Sequence, residues 1–313
     1  MKFGIQHPNF SYDGEGPEIV ESLRRVAVEA ERNNFDSFWV MDHFHQIANV
    51  GETHEPMFEG WTTLGVIAGL TSKIKLGTMV TGNVYRYPSI LAKIGATLDV
   101  LSKGRLYMGI GAAWNVEEAE AYGIHFPSTS ERFRRLEESV QIIRKMWTED
   151  RASFKGEFYE IKNAYCNPKP IQKPYPPILI GGGGERKTLR LVAKYANACN
   201  IFGSPETVKR KFDILREHCK AVGRDYDDIV KSKLGAVLVE KDSDTLKRRV
   251  DETFGRWPDE MRNEFVMAGN PDEVRRKIET FRDVGVEYMI VSFEPKRELE
   301  SLRLFGDQIS RRF

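Results

Sequence analysis

Short apolar runs alternate with longer amphipathic segments along this chain. Apolar runs of about four to seven residues, separated by amphipathic segments of about ten to twenty, are typical of repeated βα units around a parallel sheet. The pattern predicts eight strands, at Lys2–Gln6, Ser37–Met41, Lys75–Val80, Arg105–Ile110, Pro177–Ile180, Ala198–Phe202, Ser232–Val239 and Tyr288–Ser292.

Helices are predicted between and after these strands. Several begin at residues that favour helix starts, such as Ser130 before Glu131 and Ser204 before Pro205. The predicted helices are Glu18–Asn33, Trp61–Leu70, Ser89–Leu101, Ser130–Trp147, Glu185–Ala196, Pro205–Val222, Asp242–Thr253, Pro271–Val284 and Glu298–Arg311.

Eight strands that alternate with helices favour an α/β fold of the (β/α)8 TIM-barrel type. A doubly wound open sheet is the alternative, but that fold places its glycine-rich turn after the first strand, where this chain has Gln6-His7-Pro8-Asn9. We see no linker, so we expect a single barrel domain over residues 1–313, with an insertion before the fifth strand. Two long segments, Phe44–Glu59 and Phe154–Pro176, are expected to form walls or lids of a pocket.

The charge balance narrows the choice of partners. With 47 basic and 46 acidic residues, the formal net charge is +1, which indicates neither a nucleic-acid-binding nor a membrane-binding protein. The three cysteines have no CxxC spacing, and no apolar run is long enough for a membrane span or a signal segment. We therefore expect a cytoplasmic protein that binds a small molecule.

Four consecutive glycines follow the predicted fifth strand, in the segment Pro177–Thr188. Glycine lets the backbone approach a ligand closely, and a helix that follows offers unpaired N–H groups and a positive dipole end. The segment therefore predicts a site for a phosphate or a similar anion, although a tight strand-to-helix turn is the alternative. It is neither a Walker loop nor a dinucleotide fingerprint.

In a barrel, binding and catalytic residues lie where the strands end. Here the strand ends combine small residues, amides, aromatic residues and the pair Asp42-His43, which suits a large flat ligand with a phosphate tail. The spacing His43-x-His45 also occurs in metal sites. A metal site would need further ligands at the later strand ends, where this chain has glycines, so we expect no metal.

Three polar residues near these ends have two interpretations each. His43 is either held by hydrogen bonds at a strand terminus or transfers protons near a cofactor. Asp42 either caps the following turn or accepts a hydrogen bond from a planar ligand. The run that contains Glu118 is most simply the solvated first turn of a helix, although Glu117 or Glu118 could face the pocket.

Four segments together resemble the bacterial luciferase-like monooxygenase superfamily, specifically its coenzyme F420-dependent oxidoreductase branch. They are Asn34–Phe44, Ile74–Pro88, Gly104–Asn115 and Ile178–Gly184, and the likeness extends over almost the whole chain. The resemblance implies a (β/α)8 barrel and a flavin-type cofactor across the strand ends. It further implies a cis peptide bond between Met79 and Val80 that supports the cofactor ring.

The resemblance also assigns residues to the cofactor site. His43 would lie at the reacting face and transfer the proton, and Asp42 would contact the cofactor. The remaining cofactor-binding candidates are Thr78, Met79, Val80, Asn83, Gly111, Asn115, Gly181, Gly182, Gly183, Gly184 and Glu185, of which the last six would hold the ribityl phosphate side.

The function implied is that of an F420-dependent oxidoreductase, with hydride transfer between C5 of the deazaflavin and an organic substrate. An FMN-dependent monooxygenase and a non-catalytic flavin-binding protein are the alternatives. A sugar phosphate is not the expected substrate, because Trp114 stands where the sugar-phosphate dehydrogenases of the family have a carboxylate. Members of the family are often homodimers, and Trp61–Leu70 and Ser89–Leu101 are the candidate interface helices.

Overall fold

The computed structural model describes residues 1–12 and 17–313. Within these ranges, no helix combines the length and the apolar character needed to cross a membrane. The strands are β1 (Lys2–His7), β2 (Ser37–Val40), β3 (Lys75–Thr78), β4 (Thr81–Gly82), β5 (Leu106–Gly111), β6 (Ala152–Lys155), β7 (Glu160–Ala164), β8 (Ile178–Gly181), β9 (Ala198–Ile201), β10 (Val230–Val239), β11 (Val266–Gly269) and β12 (Tyr288–Phe293).

The α-helices surround these strands. They are α1 (Pro17–Arg32), α2 (Gly60–Leu70), α3 (Pro88–Leu101), α4 (Val116–Ala121), α5 (Thr129–Thr148), α6 (Thr188–Tyr195), α7 (Pro205–Val222), α8 (Ser243–Phe254), α9 (Asp259–Phe265), α10 (Pro271–Asp283) and α11 (Glu298–Gln308).

Eight parallel strands close into a barrel, in the order β1, β2, β3, β5, β8, β9, β10 and β12. Strand β12 pairs with β1, and β10 pairs with both β9 and β12, so the ring is complete. The predicted (β/α)8 barrel is confirmed. The open-sheet alternative is wrong, because both ends of such a sheet would remain unpaired.

Aromatic side chains fill the lower part of the barrel. Trp39, Tyr107 and Tyr288 belong to one buried cluster inside the ring, and the indole of Trp39 donates a hydrogen bond to the hydroxyl of Ser37. A Cβ on Gly77 would lie 2.5 Å from the Trp39 ring, so β3 needs a glycine there. Since this part is filled, a ligand must bind above it, at the carboxyl ends of the strands.

Several elements lie outside the predicted repeat. Strands β6 and β7 form an antiparallel hairpin in the insertion before the fifth barrel strand, and β11 pairs with the second half of β10. Helix α6 begins at Thr188, whereas the sequence predicted a start at Glu185. The amide of Leu189 donates to the carbonyl of Gly184, which closes a turn ahead of the helix.

Candidate active site

A cavity of about 500 Å³ opens at the carboxyl ends of the barrel strands. Strand-end residues such as Gln6, Met79 and Ser292 lie at its base, and we call it the mouth pocket. Its walls are largely aromatic, with contributions from Trp114, Phe202, Phe254, Trp257, Phe265 and Phe293. A concave, mostly apolar site with a few polar groups is typical of small-molecule binding.

His43 lies on this pocket and is oriented by a carboxylate. Its Nδ1 donates a hydrogen bond to Oε2 of Glu118 at 2.8 Å. An ionised carboxylate only accepts hydrogen bonds, so this contact puts a proton on Nδ1. The other ring nitrogen, Nε2, has no hydrogen-bond partner among the described residues. The histidine is therefore fixed in direction while one nitrogen stays available for proton transfer.

Glu118 is the anchor of this arrangement. Its side chain is fully buried, and it accepts hydrogen bonds from the hydroxyl of Tyr85 and from the backbone amides of Phe44 and His45. Burial by itself raises the pKa of a carboxyl group, but the donors, His43 foremost, outweigh that effect and lower the pKa of Glu118 to about 2. Of the two interpretations of Glu118, the solvated helix turn is wrong.

Asp42 sits beside this pair but is engaged elsewhere. Arg86 binds its carboxylate through two hydrogen bonds, of 2.6 and 2.9 Å, and also pairs with Glu59. The Asp42 side chain is fully buried, and this desolvation raises its pKa to about 6 even though Arg86 acts in the opposite direction. Asp42 does not line the mouth pocket, so its contact with a cofactor remains a prediction.

The peptide bond between Met79 and Val80 is cis, as the resemblance implied. Glycines of the neighbouring strands make room for this segment. A Cβ on Gly109 would lie 1.8 Å from the carbonyl oxygen of Thr78, and Cβ atoms on Gly111 and Gly181 would lie within 3 Å of Val80 methyl groups. Val80 thus forms a ledge over the side-chain-free ends of β5 and β8.

The other candidates near β3 to β5 support this ledge. The hydroxyl of Thr78 donates to the carbonyl of Gly109 at 2.9 Å, and the amide of Asn83 donates to the carbonyl of Gly111. The side-chain oxygen of Asn83 is buried without a partner in the described chain, and its side-chain N–H donates to the carbonyl of Arg132. Asn115 caps helix α4 by accepting the amide of Glu118.

The four glycines have separate roles. Gly181 ends β8 beneath Val80, and the amide of Gly182 donates to the carbonyl of Asn200, so neither presents a free N–H to a ligand. The amides of Gly183, Gly184 and Glu185 make no hydrogen bond among the described residues.

Cations surround these free amides. The Lys211 ammonium reaches so close that a Cβ on Gly183 would lie 2.6 Å from it, and Arg210 pairs with the carboxylate of Glu185. The predicted anion site is therefore reduced to Gly183 and the residues after it, and Lys211 is an addition to the set. Lys211 is 27 residues beyond Gly184 on another helix, so no local pattern could have identified it.

The two long segments differ in position. Residues Ile47, Asn49 and Val50 of the loop after β2 line the mouth pocket, as predicted. Phe154–Pro176 lies on the outside of the barrel, where Glu138 of α5 accepts the amides of Phe158 and Tyr159, and contributes nothing to this pocket. The opposite wall of the pocket is formed by α8 and α9, which follow β10 and contribute residues such as Phe254 and Met261. The sequence did not predict a pocket wall from this region.

These features have a known counterpart. The family model described as luciferase-like monooxygenase matches residues 1–255. This chain belongs to the luciferase-like monooxygenase family. The match covers β1 to α8. It therefore includes His43, Glu118, the ledge and the segment Gly181–Glu185, which we call the glycine loop.

Individual members of the family are similar over nearly the full length. The chain is 30% identical to an F420-dependent glucose-6-phosphate dehydrogenase from Segniliparus rotundus, with 94% of this chain and 93% of the relative covered.

Two solved structures share the fold. They are a coenzyme F420-dependent tetrahydromethanopterin reductase from Methanopyrus kandleri (22% identical, TM-score 0.80, 100% and 99% covered) and an EDTA monooxygenase from Chelativorans sp. BNC1 (18%, 0.84, 99% and 92%).

We expect Glu118→Gln to lower the free energy of unfolding by about 2 kcal/mol at neutral pH, because a neutral amide replaces a charged acceptor of several hydrogen bonds. The lowered pKa of Glu118 means that this stabilisation is complete above pH 4.5 and is lost as the pH falls toward about 2. Urea unfolding measured at about pH 7 and about pH 3 should therefore show that the free energy of unfolding falls more in the wild type than in the variant.

Glu117→Gln is the matched control, since Glu117 is exposed on the same helix turn. Its unfolding should follow the wild type at both pH values. An identical pH dependence for Glu118→Gln and the wild type would contradict the described role of Glu118.

Proposed function

We propose that this protein is an F420-dependent oxidoreductase that transfers hydride between C5 of the deazaflavin and an organic substrate in the mouth pocket. The observation that carries the proposal is His43, whose Nδ1 is bound to Glu118 while its Nε2, at the pocket, has no partner in the part of the chain that the structure describes. The F420-dependent relative that covers nearly the whole chain supports the choice of cofactor.

The residues of the mouth fit a flat ring with an anionic tail. The ledge formed by Val80 offers an apolar support for such a ring. When bound, F420 supplies a two-electron carrier, and the protein contributes positioning, exclusion of water and proton transfer. His43 Nε2 would exchange the proton on the substrate oxygen.

The glycine loop fits the phosphate of that tail. The amides of Gly183, Gly184 and Glu185, which have no partner among the described residues, lie near the ammonium of Lys211, which also donates to the carbonyl of Phe202 at 3.3 Å. Hydrogen bonds from charged donors to phosphate oxygens are stronger than those between neutral groups. The ring would then extend from this loop across Val80 toward the mouth pocket.

A binding titration with F420, run beside FMN, tests the cofactor. We expect F420 to bind and FMN to bind much more weakly. His43→Ala should lower turnover by about 100-fold or more while leaving F420 affinity within about threefold, because general acid–base catalysis contributes about 10² to 10⁴ in rate. His54→Ala, at an exposed histidine, should behave as the wild type.

Tight FMN binding without F420 binding would replace the proposal by an FMN-dependent monooxygenase. F420 binding without turnover of any substrate in a panel would replace the proposal by a non-catalytic flavin-binding protein.

Lys211→Gln should weaken F420 binding by about tenfold, since a charged hydrogen bond to phosphate is lost. The deazaflavin riboside that lacks the phosphate should bind the variant and the wild type equally. Lys209→Gln removes an exposed lysine of the same helix and should change neither affinity. Equal losses for both ligands would place Lys211 away from the tail.

We further propose that the protein is a homodimer joined through α2 and α3. These packed helices expose Val66, Ile90 and Leu101, which are 46%, 58% and 68% accessible. Exposed apolar residues on two neighbouring helices favour a protein interface. Val66→Glu should shift the species seen in sedimentation velocity from dimer to monomer, whereas Val20→Glu, at an exposed valine of α1, should not. A monomeric wild type would contradict this interface.

A further inference from the structure

Two polar side chains at the base of the mouth pocket have no hydrogen-bond partner among the described residues. Gln6 and Ser292 line the pocket, and they are only 6% and 7% accessible. Neither side chain makes a hydrogen bond to any residue that the structure describes. Their polar atoms are not among the solvent-inaccessible atoms that lack a partner in the described chain, so they are open to the cavity, where a ligand or a water molecule can bind them.

Gln6 and Ser292 stand next to each other. Strands β1 and β12 pair in parallel with Ile5 beside Val291, and the next residues in this register are Gln6 and Ser292. Both occupy interior positions: Ser292 lies on the same strand face as Tyr288 and Ile290, and Gln6 pairs with Trp39 of β2, all three of which belong to the cluster inside the barrel. The amide and the hydroxyl are therefore aimed together into the cavity, beside the apolar Leu234 and Ala236 of β10.

The rest of the pocket offers no permanent cation to an anionic substrate. Among its described lining residues there is no lysine or arginine, and the ionisable ones are His43 and Glu264. A phosphate or a carboxylate placed here would lose its hydration without gaining a cationic partner. The aromatic walls, by contrast, match an apolar body.

We propose that Gln6 and Ser292 are the specificity-determining polar anchor of the substrate. The substrate class is an uncharged molecule with an apolar or aromatic body and a carbonyl or hydroxyl oxygen, which accepts hydrogen bonds from Gln6 Nε2 and Ser292 Oγ. This inference rests on the proposed function, because it requires the mouth pocket to hold the substrate. This substrate class differs from the sugar phosphate for which the Segniliparus rotundus relative is named.

The test compares two ligands that differ in one oxygen. They are 4-phenylbutan-2-one and its hydrocarbon isostere, in which a methylene replaces the carbonyl oxygen, and equilibrium dialysis against the whole protein measures their Kd. The wild type should bind the ketone about tenfold more tightly, and Gln6→Leu and Ser292→Ala should each reduce this preference to about threefold or less. Gln141→Leu, on the outer helix α5, should retain it.

Thermal unfolding checks that each variant is folded, and Gln6→Asn replaces Gln6→Leu if the latter is not. The dialysis needs no cofactor, so its outcome is independent of whether F420 binds. A wild type with no preference, or variants that keep the full preference, would overturn the anchor. So would a loss of F420 affinity in Gln6→Leu with an unchanged ketone preference, because the pair would then belong to the cofactor.

Discussion

The buried carboxylate of Glu118 holds one side of the barrel mouth together. It lies on α4, but its donors come from the loop after β2 and from Tyr85 after β4. A carboxylate removed from water remains ionised only when donors surround it, so these three segments must come together for the group to be buried. The direction of the His43 ring thus depends on a residue 75 positions later in the chain.

Much of the scaffold could be predicted from local patterns. Strands buried on both faces form continuous apolar runs, and their alternation with helices specifies the barrel. The cis bond of the ledge was expected from the family resemblance, and the glycines of β5 and β8 around it lie at strand ends, which meet at one rim. What could be foreseen is therefore the backbone and the positions where side chains must be absent.

The contacts that orient the site could not be predicted in the same way. Glu118 lies in a run of acidic residues that looks like any solvated helix start, and Arg86 reaches Asp42 across 44 positions of the chain. Helix α9 has no fully buried residue, so no amphipathic period marks it, although Met261 and Phe265 line the pocket. Long-range pairing decides these positions, and it leaves no periodic trace in the sequence.

The two halves of the mouth place different demands on the chain. Around β3, β5 and β8 the backbone approaches so closely that Gly109 and Gly181 accept no side chain, which suits a flat ring whose shape does not vary. Around β10, β12 and β1 the rim bears side chains, and α8 and α9 close over it. Since the two halves share few residues, the second can change its aromatic and polar groups without disturbing the first. Under the proposed function, substrate choice on this barrel therefore depends on the β10–β12–β1 side, with Gln6 and Ser292 at its base.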